Sequence, residues 1–184
     1  MKSLSVNWRE ISLKFGVVLV FVIIFALSCL LWTYIVHEPS HCIICEVRGF
    51  NCTILPMAED YHPTTECYNM HNATYLFMFF LKMAPYITNL VILLIFAFKI
   101  PQRIIFKMIP YAAFLDTILN FLLHILGQKG NDFTWVRENI LEYYIFAVII
   151  FLAICSVFYL AYWGDFQDTV KRLWGDIYHF LSKN

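Results

Sequence analysis

The sequence predicts an all-α membrane protein, a single four-helix transmembrane bundle that extends over residues 1–184. Hydrophobic residues make up 61% of the chain and charged residues only 14%, the latter about half the share in an average globular protein. In addition, four apolar runs are long enough to cross a bilayer as helices. A soluble chain of this length has too small an interior to bury so much apolar surface.

Each of the four apolar runs approaches or exceeds the roughly 20 helical residues that span the hydrocarbon core. We predict transmembrane helices at about residues 15–36, 75–98, 108–126 and 140–163. The first run follows basic residues, as a signal peptide does, but it is longer than the apolar part of a signal peptide and no small-residue cleavage site follows it. We therefore predict that the first helix is retained as a membrane anchor.

Basic residues divide unequally between the two sides of the predicted bundle. Nine lie in the N-terminus, the link between the second and third helices and the tail, whereas three lie in the other two loops. The positive-inside rule then places both termini in the cytoplasm and residues 37–74 in the lumen or outside the cell. Two N-glycosylation sequons, which begin at Asn51 and Asn72, fall in that same loop. We predict a glycoprotein of the secretory pathway, in the plasma membrane or an endomembrane.

The first loop contains four of the six cysteines, Cys42, Cys45, Cys52 and Cys67. In an oxidising compartment, four cysteines most simply form two disulfides, for which three pairings are possible. The loop has few strand-like runs, so crosslinks would supply its rigidity. We predict a disulfide-stapled loop, with no metal site and no cofactor.

Two other hypotheses exist for these cysteines. One is a zinc site built from Cys42, Cys45 and nearby histidines, although lumenal thiols seldom stay reduced. The other rests on Cys42-Ile-Ile-Cys45, which lies just outside the first of four helices. The position of this motif, the number of helices and the chain length resemble those of the bacterial membrane thiol oxidases that pass electrons to quinone. The resemblance implies redox chemistry. Those enzymes have a second cysteine pair in the second outer loop, where this chain has none.

Polar residues within the predicted helices are functional candidates, because hydrocarbon disfavours them unless they are paired or face a cavity. Asp116, Asn120 and His124 are spaced by four residues and share one face of the third helix. The candidates for a ligand pocket are Lys82, Asn89, Asp116, Asn120, His124 and Glu142. Glu142 is expected at a depth in the membrane similar to that of Lys82, which makes it the expected partner of Lys82. The same residues are also compatible with a polar seam that only locks the helices together, or with a catalytic or ion-conducting site.

The tail, residues 164–184, has apolar side chains at helical spacing and charged side chains on the other side. The apolar set is Phe166, Val170, Leu173, Trp174, Ile177, Phe180 and Leu181. This pattern predicts a C-terminal amphipathic helix that lies on the cytoplasmic membrane surface or against a partner.

The sequence contains no catalytic motif to which we assign a reaction, and we do not expect an enzyme. The favoured function is a non-enzymatic tetraspan protein that acts as an accessory or assembly partner of other membrane proteins, or of itself, through the stapled loop. The competing hypothesis is a protein that handles a lipid or small apolar ligand through the polar pocket. An oligomeric channel and a lumenal redox protein are further alternatives. The net charge is zero and no basic run is present, so the expected environment is the lipid bilayer, without nucleic acid.

Overall fold

The structure is a computed structural model that describes residues 8–55, 64–98, 104–129 and 131–183. In this part of the chain, four helical segments are long and apolar enough to cross a membrane, which indicates an integral membrane protein. They are Ile11–Val47, Tyr75–Ala97, Phe106–Ile125 and Leu141–Leu181. The predicted four helices are confirmed in length and composition.

The first helical stretch extends beyond the predicted span at both ends. It consists of α1 at Trp8–Trp32, a π-helical segment at Thr33–His37 and α2 at Glu38–Val47. Pro39, which has no backbone N–H to donate, lies in the first turn of α2, directly after the π-helical segment. After α2, Gly49 has a φ of 82°, a left-handed conformation that a residue without a Cβ adopts at little cost.

The residues after α2 form an antiparallel β-hairpin, so the prediction that this loop has few strands is wrong. The strands are β1 at Asn51–Leu55 and β2 at Thr64–Tyr68. Cys52 lies opposite Cys67 in the ladder, and each is bonded to a cysteine of α2, Cys42 to Cys52 and Cys45 to Cys67. The predicted disulfides are confirmed, and they tie both strands of the hairpin to one helix.

The remaining helices are α3 at Tyr75–Ala97, α4 at Ile104–Ile125, α5 at Asp132–Asn139 and α6 at Leu141–Lys183. We predicted that the fourth span ends near residue 163 and that a separate tail helix follows, but α6 continues through these residues without a break. At about 1.5 Å per residue, a helix of this length exceeds the roughly 30 Å hydrocarbon core. α6 is therefore longer than a membrane-spanning helix requires.

The short helix α5 lies in a loop for which the sequence suggested no structure. Asn131 caps it, because its side chain accepts the backbone N–H of Phe133 at 3.0 Å. Phe133 and Val136, one turn apart, are fully buried, and the Phe133 ring centroid lies 4.5 Å from that of Tyr86 in α3. This packing holds Asp132, the first residue of α5, in the interior.

The chain divides into two compact units. One consists of Met1–Ser28 and Trp163–Asn184, and the other is Cys29–Tyr162. In the first unit the ring of Trp174, on the predicted apolar face of the tail, stacks on Phe21 of α1 with centroids 5.9 Å apart. The second unit contains the stapled loop and all the pocket candidates.

Candidate functional site

A cavity of about 450 Å³ lies within the Cys29–Tyr162 unit. Its walls come from the π-helical segment, α2, β2, α3, α4 and the loop before α5. The lining includes the exposed loop residues Gln128 and Lys129 together with the buried His37 and Asp116. The cavity therefore reaches from the loop surface to buried polar groups, and its volume is within the usual range for small-molecule sites.

Two histidines and an aspartate form the buried floor of this cavity. His37 ends the π-helical segment, His41 lies one turn later in α2, and Asp132 begins α5. Nε2 of His37 lies 3.3 Å from Oδ2 of Asp132, and Nε2 of His41 lies 3.4 Å from the same oxygen. All three side chains are buried. We call them the His–His–Asp cluster.

The other ring nitrogen of each histidine has a partner that fixes the ring. Nδ1 of His41 donates to the backbone carbonyl of Leu81 at 2.6 Å, since a carbonyl oxygen can only accept. Nδ1 of His37 lies 3.1 Å from Oδ2 of Asp116 and donates to that carboxylate. With Nδ1 protonated, the Nε2 atom of a neutral imidazole has a free lone pair. Both Nε2 atoms face Oδ2 of Asp132, and each donates to that carboxylate when its ring is protonated.

Asp132 is an ionised carboxylate held by several partners. Its Oδ1 lies 3.2 Å from Nζ of Lys82, and its Oδ2 accepts the hydroxyl of Tyr86 at 3.2 Å. Burial alone would raise the pKa of Asp132, but the charges of Lys82 and His41 and the histidine hydrogen bonds hold that pKa well below its usual value. The predicted pairing of Lys82 with Glu142 is therefore wrong, because α5 brings Asp132 inward whereas Glu142 is exposed.

A polar network extends from the cluster into the helices. Asn89 is fully buried; its amide donates to Oδ2 of Asp116 at 2.9 Å and to Thr117 Oγ1 at 3.1 Å. Its carbonyl oxygen accepts the indole N–H of Trp32 at 3.0 Å. Asn120 donates to Oδ1 of Asp116 at 3.2 Å. The network thus connects α1, α3 and α4 through the side chain of Asn89.

The six predicted pocket residues separate into two groups. Lys82, Asp116 and Asn120 line the cavity, and Asn89 contacts Asp116 behind it. His124 lies elsewhere, with Nδ1 3.0 Å from Thr134 Oγ1 and Nε2 2.8 Å from the hydroxyl of Tyr144. Among the residues that the structure describes, neither His124 nor Glu142 lines this cavity.

None of the three residues of the His–His–Asp cluster is among the pocket candidates that the sequence indicates. A signal for part of it exists, because His37-Glu38-Pro39-Ser40-His41 has the form H-E-x-x-H, in which histidines at i and i+4 bind zinc. Asp132 has no comparable signal, since its position depends on how α5 packs. The zinc site proposed on Cys42 and Cys45 is wrong, because both sulfurs are in disulfides.

Comparison with known protein families, curated proteins and solved structures gives no match to this chain. A four-helix membrane outline does not by itself determine a function. The functional inference therefore rests on the geometry of the cavity and its floor.

Proposed function

We propose that this chain is an integral membrane protein that binds one amphiphilic lipid, with the lipid headgroup in the cavity of the Cys29–Tyr162 unit. The observation that carries the proposal is the mixed lining of the cavity. Met78, Leu119 and Leu123 contribute apolar walls, whereas Lys82 and Asp132 contribute charges at the floor. Such a lining matches a molecule that has a polar end joined to an apolar part.

The outer faces of the same helices support a ligand that comes from the bilayer. Leu76 and Phe80 of α3 and Leu122 of α4 are large, apolar and exposed. Extensive exposed apolar surface indicates contact with a membrane or another apolar partner. In a bilayer, lipids would cover these side chains. Lipids are therefore the amphiphiles with the highest local concentration around the cavity.

Filling the cavity wall is expected to abolish lipid binding. Leu123 lines the cavity, so Leu123→Trp should occupy the space of the ligand. The matched control is Leu122→Trp, the same substitution at the neighbouring exposed position of α4. We expect native mass spectrometry from phosphatidylcholine nanodiscs to show about one retained lipid for the wild type and the control, and none for Leu123→Trp.

Equal lipid retention by both tryptophan variants would contradict the proposal. Thermal unfolding of each variant checks that it is folded. Should Leu123→Trp not fold, Leu119→Trp provides a second substitution in the same wall.

The proposal includes an orientation, with the stapled loop in the lumen or outside the cell and both termini in the cytoplasm. It is supported by the distribution of basic residues and by exposure of both sequon asparagines, Asn51 and Asn72. Asn72 lies just before α3, close to the membrane, so we expect glycan only at Asn51. In eukaryotic cells, Asn51→Gln should remove the mass shift on enzymatic deglycosylation, and Asn72→Gln should retain it. A wild-type protein without a shift would contradict this prediction and remove one support for the orientation.

The favoured function from the sequence, a non-enzymatic assembly partner of other membrane proteins, stays a prediction. The surface invoked for it was the stapled loop, and one side of this loop packs inward, with the rings of Phe50 and Phe77 5.2 Å apart. In contrast, the cavity offers a defined volume and defined chemistry. The geometry therefore favours the lipid-binding alternative.

A further inference from the structure

We infer that His37, His41 and Asp132 bind a divalent transition metal ion, best matched by zinc, at the floor of the cavity. The inference deepens the proposed function, because it adds a metal to the lipid-binding cavity. The metal site depends on His37, His41 and Asp132, whereas lipid binding is tested at the apolar wall of the cavity. The metal site and lipid binding can therefore fail separately.

The first argument is the distance between the potential ligand atoms. In a tetrahedral zinc site with bonds of about 2.0–2.2 Å, neighbouring ligand atoms lie roughly 3.3–3.6 Å apart. The two nitrogen–oxygen distances in the cluster are 3.3 and 3.4 Å. One ligand atom of each of the three residues lies within 4.8 Å of the other two. A zinc ion can therefore be accommodated with small side-chain movements.

The second argument is the orientation of the histidines. Metal-binding histidines almost always donate their second ring N–H to a carboxylate or a backbone carbonyl. His37 has Asp116 in this role and His41 has the carbonyl of Leu81. One such pairing is common for a buried histidine. Here, however, the Nε2 atoms of both rings also face the same oxygen of Asp132. This convergence is the arrangement of a coordination site.

The site is of the open kind. Three protein ligands leave one position of a tetrahedral zinc ion for water or for an oxygen of a bound molecule. Glu38 lines the same cavity, and in the H-E-x-x-H pattern the glutamate acts on metal-bound water rather than on the metal. A nitrogen and carboxylate donor set suits zinc. In this protein, a headgroup oxygen of the lipid would take the open position.

The test is the metal content of the full-length protein, purified in lipid nanodiscs without chelator. We expect about one zinc ion per chain by elemental mass spectrometry. After chelation, Co²⁺ should restore one site with the strong visible absorption of four-coordinate cobalt. His41→Gln and Asp132→Asn should lose both signals. The control is His124→Gln, which changes a buried histidine outside the cluster and should retain both.

Asp116 is a positioning residue in this account, because it orients His37 without binding the metal. Asp116→Asn should therefore keep the metal but weaken its affinity by about 10- to 100-fold, as is typical for such outer partners. A competition titration with a zinc chelator measures this change.

A wild-type protein that carries no zinc and takes up neither zinc nor cobalt would overturn the inference. Equal metal content in the wild type, His41→Gln and Asp132→Asn would overturn it as well, since the metal would then lie elsewhere. Thermal unfolding identifies any variant that has not folded. If Asp132→Asn does not fold, the metal content of His41→Gln decides the test. Neither result affects the comparison of lipid retention between Leu123→Trp and Leu122→Trp, which tests the proposed function independently.

Discussion

Lys82→Met is expected to destabilise the protein by about 3–5 kcal/mol, because it leaves a buried carboxylate without its cation. Nζ of Lys82 lies 3.2 Å from Oδ1 of Asp132, and the two side chains are 25% and 9% exposed. The double variant Lys82→Met, Asp132→Asn removes both charges. It should recover part of the lost stability, since no charge is then left unpaired. Unfolding in a defined detergent, after chelator treatment so that bound metal does not contribute, measures both effects.

The control for this prediction is Lys171→Met. Lys171 also faces an aspartate, with Nζ 3.9 Å from Oδ1 of Asp168, but its side chain is 76% exposed. Exposed pairs of this kind contribute little, because water and salt screen them. If Lys82→Met unfolds at the same point as Lys171→Met, the Lys82–Asp132 pair does not stabilise the fold.

Asn89→Leu is expected to destabilise the protein by about 3 kcal/mol, since a buried polar group that loses its partner costs about 1–3 kcal/mol and more when it is charged. Leucine fills a similar volume but has no hydrogen-bond acceptor for the indole N–H of Trp32 and no donor for the carboxylate of Asp116. The effect is large for a membrane protein, in which interhelical hydrogen bonds average under about 1 kcal/mol. The reason is that one asparagine satisfies groups of three helices.

The matched control is Asn139→Leu. Asn139 is exposed and donates only to the carbonyl of Trp135 in its own helix, at 2.9 Å. Surface substitutions of this kind usually change stability by about 0.5 kcal/mol or less. Equal unfolding midpoints for the two leucine variants would contradict the role assigned to Asn89.

The four long apolar helices were predictable because their signal is local. A run such as residues 75–98 is apolar for the whole length that a bilayer requires, and no distant contact is needed to make it helical. The hairpin was not predictable in this way. Its strands are only five residues long, and disulfides join both of them to α2. The four cysteines indicated a stapled loop, but three pairings were open and no pattern specified strands.

The candidate site was predictable only in part, for a similar reason. The spacing of Asp116 and Asn120 places both on one face of α4, and in the structure both line the cavity. His37 and His41 fall in the predicted loop at residues 37–74, because the apolar run that predicts the first helix ends just before them. The position of Asp132 follows from the burial of Phe133 and Val136, a tertiary contact that local patterns do not encode.

X-ray absorption at the zinc edge of the full-length protein tests the His–His–Asp cluster as a binding centre most directly, because it identifies the bound atoms and their distances. The cluster predicts only nitrogen and oxygen neighbours, at about 2.0–2.2 Å, with the outer-shell pattern of imidazole. In His41→Gln this zinc signal should be lost. Sulfur neighbours at about 2.3 Å, or zinc in which His41→Gln changes nothing, would contradict the assignment.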